Sequence, residues 1–262
     1  MSIQITQIKI EGYGPWTLML GSDRESQLQM LQSRLYYDLQ KAFSEKDCIV
    51  YQNRQDELFA VTNGLSVDEH YSIFSNISEL YQEITLSMAI GISTTPLEAS
   101  LYAYYSRRDN LRIKENALLY GNHKNSIPSY DQNGQLSDMV VQVMHLDLDD
   151  STKMVNEISP YEVSTSIIRV YSRLADEFVK KKDLTFYLGG DNFMVVATTT
   201  LLNESKLIIE KICDEMNVEL NCGIGSARTA RRAVAAATEA LDSIRKLRKV
   251  GKIQRIIEIK CL

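Results

Sequence analysis

The sequence predicts an α+β protein built from two tandem domains, each with an antiparallel sheet and helices on one face. Three observations support this prediction. The same order of strand-like and helix-like segments occurs twice, equivalent features recur at nearly constant spacing, and a polar stretch at 121–138 separates the two halves. The 262 residues, of which 44% are hydrophobic, are enough to form two such cores.

Three pairs of equivalent positions measure the repeat. Their spacings are 138, 135 and 134 residues, for Lys9 with Asp147, Asp56 with Asp191, and Gly91 with Gly225. Nearly constant spacing is expected when a β-α-β-β-α-β unit of the ferredoxin-like or palm type, followed by an extra helix, occurs twice. We therefore predict an N-terminal domain at 1–120, a linker at 121–138 and a C-terminal domain at 139–262.

The first half supplies strands and helices in the order that such a unit requires. Residues 3–10 alternate as a strand, and 11–17, with two glycines and a proline, are predicted as a loop. Leucines spaced by three and four residues predict the first helix, which Ser22 and Glu25 would start as a capping box. The remaining elements are predicted at 47–52, 58–61, 67–79, 85–92 and after Pro96.

The second half repeats this order of elements. Gly189 and Gly190, flanked by apolar strands, predict a hairpin because the glycine pair can adopt positive φ angles. The elements around the hairpin are a strand at 140–147, a helix marked by Ile167, Val170, Leu174 and Phe178, a strand at 220–224 and a helix from Thr229.

Two carboxylates lie where a metal site could form. Asp191 is at the bend of the hairpin and Asp147 ends the preceding strand, so pairing of these strands would bring the two acids together. Carboxylate oxygens suit Mg²⁺, and the glycine pair leaves room for a phosphate near the backbone. The alternative is an ordinary hairpin with a solvated aspartate, with Asp149 and Asp150 capping a helix or filling a turn.

Six motifs occur in order along nearly the whole chain. They are Tyr13-Gly-Pro-Trp16, Arg24-Glu-Ser26, Leu31-Gln-Ser-Arg-Leu-Tyr36, Asn53-Arg54 with Asp56, Gly189-Gly-Asp-Asn-Phe-Met194, and Gly223-Ile-Gly225 with Arg228-Thr-Ala230. Together they resemble the archaeal type III GTP cyclohydrolase family, and the strand–helix–hairpin arrangement resembles the palm-type domain of class III nucleotide cyclases and diguanylate cyclases. The resemblance implies hydrolysis of GTP, in which the imidazole ring opens to a formylamino-pyrimidine and two phosphates leave. It also implies a role in archaeal flavin and deazaflavin supply.

The resemblance further implies cofactors and site residues. In palm cyclase domains the aliphatic residue after the first aspartate lends its backbone carbonyl to a metal, which points to Leu148. A basic residue late in the chain binds phosphate, which points to Arg245. Two or more Mg²⁺ ions are implied at Asp147, Leu148 and Asp191, with K⁺ as a candidate activator. His145 shares the strand face of Asp147, so it joins Asp147 and Asp191 as a candidate catalytic residue.

The two halves differ where the metal would bind. Lys9 stands at the position of Asp147, so the first half is predicted to have a degenerate metal site. It offers Asn53, Arg54 and Asp56 instead, which suit hydrogen bonds to a purine edge or a phosphate. The alternative for Arg54 and Asp56 is a salt bridge within the turn.

Four more residues are candidates for contacts with GTP. Arg24 lies at the start of the first helix, where free backbone amides favour an anion, and Arg228 precedes the last helix. Gly189 and Gly190 would let a phosphate approach the backbone. The basic run at 245–249 is otherwise a solvated face, the usual role of such runs.

Composition and charge exclude several classes of protein. The net charge is −5 and both signs are mixed along the chain, which disfavours a nucleic-acid binder. No apolar run reaches the roughly 20 residues that span a bilayer, and no signal peptide is recognisable, so we expect a cytoplasmic protein without a membrane partner. The four cysteines and three histidines lack the spacing of zinc ligands. A homo-oligomer is also expected.

Two other functions remain open from the sequence. A nucleotide cyclase would use the same metals to activate a ribose hydroxyl of GTP instead of water. A GTP-binding module would bind the nucleotide without turnover. The products of the reaction separate these alternatives from the hydrolase.

Overall fold

The computed structural model describes residues 2–122, 139–149, 158–197 and 202–261. Within them, 2–94 and 98–139 form one compact unit, called the N-terminal unit here, and 95–97 and 140–262 form the C-terminal unit. Residues 123–138 of the predicted linker lie outside the described residues. Gly121, where that prediction starts, is the last residue of a strand.

The N-terminal unit contains a five-stranded sheet in the order β2-β3-β1-β4-β5. β1 is antiparallel to both β3 and β4, and β4 is parallel to β5. The elements are β1 (Ile3–Glu11), α1 (Tyr13–Met19), α2 (Arg24–Ser44), β2 (Ile49–Arg54), β3 (Glu57–Val61), α3 (Val67–Leu80), β4 (Thr85–Ser93), α4 (Pro96–Arg108) and β5 (Leu119–Gly121).

The C-terminal unit has the same strand order and the same strand directions. Its sheet runs β7-β8-β6-β9-β10, with β6 antiparallel to β8 and β9, and β9 parallel to β10. The elements are β6 (Val141–Leu148), α5 (Pro160–Val179), β7 (Leu184–Gly189), β8 (Asn192–Ala197), α6 (Leu202–Met216), β9 (Leu220–Ala227), α7 (Ala230–Lys249) and β10 (Ile256–Cys261). The predicted α+β fold with two tandem domains is confirmed, but the sheets are mixed rather than antiparallel, because the fifth strand of each is parallel to its neighbour.

Each unit holds the turn before its third strand in the same way. The backbone N–H of Ile10 donates to the carbonyl of Asp56 at 2.9 Å, and the N–H of Leu148 donates to the carbonyl of Asp191 at 3.1 Å. The two aspartates are therefore structurally equivalent. Lys9 and Asp147, which precede Ile10 and Leu148, are also structurally equivalent. The sequence spacing predicted this match.

The extra helix packs on the sheet face opposite the other long helices. In the C-terminal unit, Cys222 and Ile224 of β9 lie in the core that α5 and α6 cover. Gly223 and Gly225 point the other way, where a Cβ on Gly225 would lie 2.1 Å from the carbonyl oxygen of Ala233 in α7. The prediction of helices on one face therefore holds for α5 and α6 but not for α7.

Two local predictions in the first half are wrong. Residues 13–17 of the predicted loop belong to helix α1, although none of the residues of α1 is buried. α2 starts at Arg24 after Asp23, not after Ser22, and no side chain caps it, so the predicted capping box is absent. Arg24 instead lies 3.5 Å from the carboxylate of Glu25. In the described residues, no helix is both long enough and apolar enough to cross a membrane.

A fully buried histidine joins α3 to β1. His70 Nε2 lies 2.7 Å from Thr6 Oγ1, and His70 Nδ1 lies 2.8 Å from the carbonyl oxygen of Ser66. Because a carbonyl only accepts hydrogen bonds, Nδ1 carries the proton and Nε2 accepts from the threonine hydroxyl. Burial lowers the pKa of His70 to about 4, so the ring is neutral near pH 7.

We expect His70 to weaken the fold as the solution is acidified. Its pKa is lower in the folded state than in the unfolded chain, so protonation favours unfolding as the pH falls from about 6.5 towards 4. The free energy of unfolding should drop by about 2 kcal/mol between about pH 7 and pH 5 from this group alone. Urea unfolding of the wild type and His70→Gln at both pH values measures it. Equal pH dependence in the two proteins would contradict the assignment.

Candidate functional site

The end of β6 and the β7–β8 turn bring the two predicted metal-binding acids to one edge of the sheet. Asp147 pairs with Asn192 in the antiparallel register of β6 and β8, and Asp191 directly precedes Asn192. Gly189 and Gly190 have φ angles of 98° and 59°, the left-handed region that favours glycine. The turn therefore depends on the glycine pair, as the sequence predicted.

Asp147 combines burial with an unused acceptor. The residue is 8% exposed, and its Oδ2 accepts a hydrogen bond from Nη2 of Arg245 at 2.7 Å. Its Oδ1 is buried and has no hydrogen-bond partner among the described residues. A buried carboxylate oxygen without a partner is costly, and a cation would satisfy it. This arrangement fits a metal ligand.

The described residues offer a partial set of metal donors rather than a full protein cage. Within the described residues, no group of three or more histidines, cysteines and acids is arranged to hold a metal. Mg²⁺ is commonly held by one or two carboxylates together with water and substrate phosphates. Asp147, Asp191 and the carbonyl of Leu148 would supply such a partial set.

Asp149 takes part in an ion-pair cluster, which the sequence did not predict. Its two carboxylate oxygens accept hydrogen bonds from Nη1 of Arg248 and Nη1 of Arg255. Burial by itself would raise the pKa of Asp149, but the hydrogen bonds and charges of these arginines outweigh burial and lower it. Asp149 lies in the turn after β6, one of the two expected roles, and its carboxylate pairs with two arginines as well. Asp150 lies outside the described residues.

His145 is fully engaged in hydrogen bonds. Nδ1 lies 3.2 Å from Oγ1 of Thr238, and Nε2 lies 3.2 Å from Oδ1 of Asn192. Nδ2 of Asn192 in turn donates to Oδ1 of Asp191 at 2.8 Å. Burial lowers the pKa of His145, which favours the neutral ring. The structure thus connects His145 to Asp191 through Asn192.

The two candidate arginines of the C-terminal unit differ in what surrounds them. Arg245, on the last turns of α7, contacts Asp147 and also donates to Asp242 at 3.2 Å. These partners raise the pKa of its guanidinium, mainly through the hydrogen bond to Asp147. Arg228 lies between β9 and Thr229, the residue that precedes α7. Arg245 is therefore in contact with Asp147, a predicted metal ligand.

The equivalent turn of the N-terminal unit carries a salt bridge. Arg54 donates from Nε to Oδ1 of Asp56 at 3.0 Å and from Nη2 to Oδ2 at 3.1 Å. Nδ2 of Asn53 donates to Glu57 at 2.9 Å. Lys9, in β1, is at the position that Asp147 has in β6. In this turn Asp56 is already paired with Arg54, and Lys9 stands at the position that Asp147 has in the C-terminal unit.

Sequence reasoning missed three contributors to the site. Thr238 in α7 gave no signal, because an isolated threonine on a helix is usually a surface residue. Asn192 was visible only as part of a motif. Tyr187 donates its hydroxyl to the carbonyl oxygen of Gly190 at 3.0 Å, and its ring packs against Phe193 at a centroid distance of 6.0 Å. These side chains support the turn without being candidate ligands.

The sequence matches one protein family over nearly its whole length. Residues 3–256 match the family model described as GTP cyclohydrolase III. GTP cyclohydrolase III of Methanothermobacter thermautotrophicus is 34% identical over 232 residues, which cover 88% of this chain and 90% of that protein. The protein of the same name from Methanocaldococcus jannaschii is 35% identical over 238 residues, covering 88% and 84%. The solved GGEEF domain of a Vibrio cholerae diguanylate cyclase covers 47% of this chain and 85% of its own, with 14% identity and a TM-score of 0.37.

Proposed function

The chain belongs to the GTP cyclohydrolase III family, and from that membership we propose the reaction and cofactor of this enzyme. Family membership supports ring-opening hydrolysis of GTP. We propose further that the reaction requires Mg²⁺ and that two phosphates are released. The proposed product is 2-amino-5-formylamino-6-(5-phosphoribosylamino)pyrimidin-4(3H)-one.

The observation that carries the metal proposal is the buried Oδ1 of Asp147, which has no hydrogen-bond partner within the described ranges and lies beside the turn that presents Asp191. Asp147, Asp191 and the carbonyl of Leu148 would hold Mg²⁺. When bound there, Mg²⁺ would offset phosphate charge and lower the pKa of a coordinated water. The protein's part is to hold the acids at one edge of the sheet and to keep the carboxylate of Asp147 away from bulk water.

Arg245 is proposed to bind the phosphates of GTP. Its guanidinium hydrogen bonds to Asp147, so it lies at the proposed metal site, and a guanidinium matches phosphate oxygens with paired donors. Gly189 and Gly190 present backbone without side chains at the same turn. Arg228 is retained as a second candidate for phosphate contact.

The N-terminal unit is proposed to contribute to GTP binding without holding metal. Lys9 would repel Mg²⁺, whereas Asn53, Arg54 and Asp56 offer donors and acceptors that suit a purine edge or a phosphate. The side chain of Arg54 is 64% exposed, so it can donate to a ligand while Asp56 orients it. Arg24 remains a candidate for an anion at the start of α2.

Product analysis tests the proposed function. Purified protein with Mg²⁺ should convert GTP, and scarcely ATP, to a product without the guanine absorbance, with phosphate released. Guanine and adenine present different donors and acceptors, and a site built to pair with one rejects the other strongly. Chromatography and phosphate assays measure both products. Equal turnover of ATP would contradict recognition of the base.

The same assay separates the alternatives. Cyclic GMP with pyrophosphate would identify a nucleotide cyclase, and bound but unchanged GTP would identify a binding module.

Activation by K⁺ and assembly into a homo-oligomer belong to the proposal as well. Replacing K⁺ by Na⁺ in the assay tests the first, and light scattering during size-exclusion chromatography tests the second.

A further inference from the structure

Four side chains of the C-terminal unit form a continuous hydrogen-bonded series that ends at a proposed metal ligand. Thr238 Oγ1 lies 3.2 Å from His145 Nδ1, and His145 Nε2 lies 3.2 Å from Asn192 Oδ1. Asn192 Nδ2 lies 2.8 Å from Asp191 Oδ1. The series therefore joins α7, β6, β8 and the β7–β8 turn.

When the His145 ring is neutral, one assignment of protons satisfies every contact in this series. Asp191, when ionised, only accepts, so Asn192 must donate from its amide nitrogen and present its oxygen to His145. That oxygen accepts from a protonated Nε2, which leaves Nδ1 of the neutral ring as an acceptor. Only the hydroxyl of Thr238 can then donate to Nδ1. The tautomer of His145 is thus defined by its partners.

From this geometry we propose that His145 is a positioning residue, which acts through Asn192 to orient the Asp191 carboxylate for a divalent cation. The inference rests on the proposed function in that Asp191 is taken as a metal ligand. Side chains that hold a ligating carboxylate by hydrogen bonds commonly change metal affinity when they are replaced. Both ring nitrogens are already used, so His145 in this arrangement has no free nitrogen with which to take a proton from water.

The N-terminal unit supports this assignment by contrast. At the positions equivalent to His145, Asn192 and Thr238, with the same spacings of 138, 135 and 134 residues, it has Gln7, Glu57 and Tyr104. Oε1 of Gln7 is buried without a hydrogen-bond partner in the part of the chain that the structure describes. The series is therefore found in the unit that has both acids, and not at the equivalent positions of the unit that has Lys9.

Mn²⁺ binding without nucleotide tests the inference, since Mn²⁺ accepts the same oxygen ligands as Mg²⁺. Thr238→Val removes one hydroxyl while keeping the shape of the side chain, and Asn192→Ala breaks the series next to Asp191. We expect each variant to weaken Mn²⁺ affinity by about threefold to tenfold, the effect of one hydrogen bond. Because the residues act in series, the double variant should lose no more than the stronger single variant. Titration followed by electron paramagnetic resonance measures free Mn²⁺ directly.

Ser243→Ala is the matched control. It also removes a hydroxyl from α7, but that hydroxyl donates to the carbonyl of Glu239 at 2.9 Å, so Mn²⁺ affinity should equal that of the wild type. Wild-type affinity in Thr238→Val and Asn192→Ala would overturn the inference even if the enzyme opens GTP. Conversely, the affinity changes would support it even if GTP is not the substrate. A protein that binds no Mn²⁺ would overturn both the inference and the metal proposal.

Turnover at saturating Mg²⁺ distinguishes a positioning role from a general base. A positioning role predicts that Thr238→Val recovers wild-type kcat when enough Mg²⁺ is added, since only the affinity for the ion has changed. Loss of kcat in His145→Gln at saturating Mg²⁺, together with unchanged Mn²⁺ affinity, would identify His145 as a base and overturn the inference.

Discussion

Replacing Asp147 or Asp191 by Ala is expected to reduce turnover of GTP by more than about a thousandfold, and replacing both should do no further harm. The two acids are proposed to share the metal, so losing either one removes the same function. Steady-state kinetics of the two single variants and the double variant provide the measurement. Additive losses in the double variant would mean that the acids act independently. Normal activity in both single variants would contradict the metal site itself.

Asp56→Ala is the matched control for these variants, because Asp56 occupies the equivalent turn of the N-terminal unit. It should raise the KM for GTP and leave Mn²⁺ binding intact, since the N-terminal unit has Lys9 at the position of the metal-binding Asp147. Circular dichroism should show that all three single variants fold, because turn acids add little to core packing. If Asp56→Ala removes Mn²⁺ binding while Asp147→Ala keeps normal activity, the catalytic unit has been assigned the wrong way round.

Gly225→Ala is expected to lower the free energy of unfolding by about 2 kcal/mol or more, the upper range for overpacking a core. The added Cβ would lie 2.1 Å from the carbonyl oxygen of Ala233 and 2.3 Å from the backbone nitrogen of Ala237. Backbone atoms cannot rotate away as a side chain can, so α7 must move from the sheet. Because α7 carries Thr238 and Arg245, GTP turnover should fall as well.

Two other glycines test whether close approach of the added Cβ to backbone atoms causes the expected loss of stability. A Cβ on Gly91 would lie 2.1 Å from the carbonyl oxygen of Ala99, so Gly91→Ala should destabilise the protein by a similar amount. A Cβ on Gly14 would meet no atom of the described residues within 4 Å, so Gly14→Ala should leave stability nearly unchanged. Urea unfolding of the three variants decides the matter. Equal stability of Gly225→Ala and Gly14→Ala would contradict the packing argument.

The sequence by itself determined the repeat, the positions of the acids and the order of the elements other than α1, β5 and β10, which it did not predict. Strand alternation and helical periodicity are local patterns that can be recognised within a few residues. The hairpin at Gly189 and Gly190 likewise depends on the positive φ angles that two adjacent glycines adopt readily. The near-constant spacings showed that Lys9 occupies the position equivalent to Asp147, before any contact was known. These inferences succeeded because each one needed only neighbouring residues or a repeated interval.

Only the tertiary structure decided which side chains meet. Arg245 contacts Asp147 across 98 residues of sequence, and Thr238 contacts His145 across 93, distances over which no local pattern carries information. The face that α7 covers was predicted wrongly, because Gly225 and the alanines facing it give a weaker periodic signal than leucine does. The small residues let the backbone of α7 lie close to the backbone of β9, which places α7 on that face. This packing brings Arg245 to Asp147.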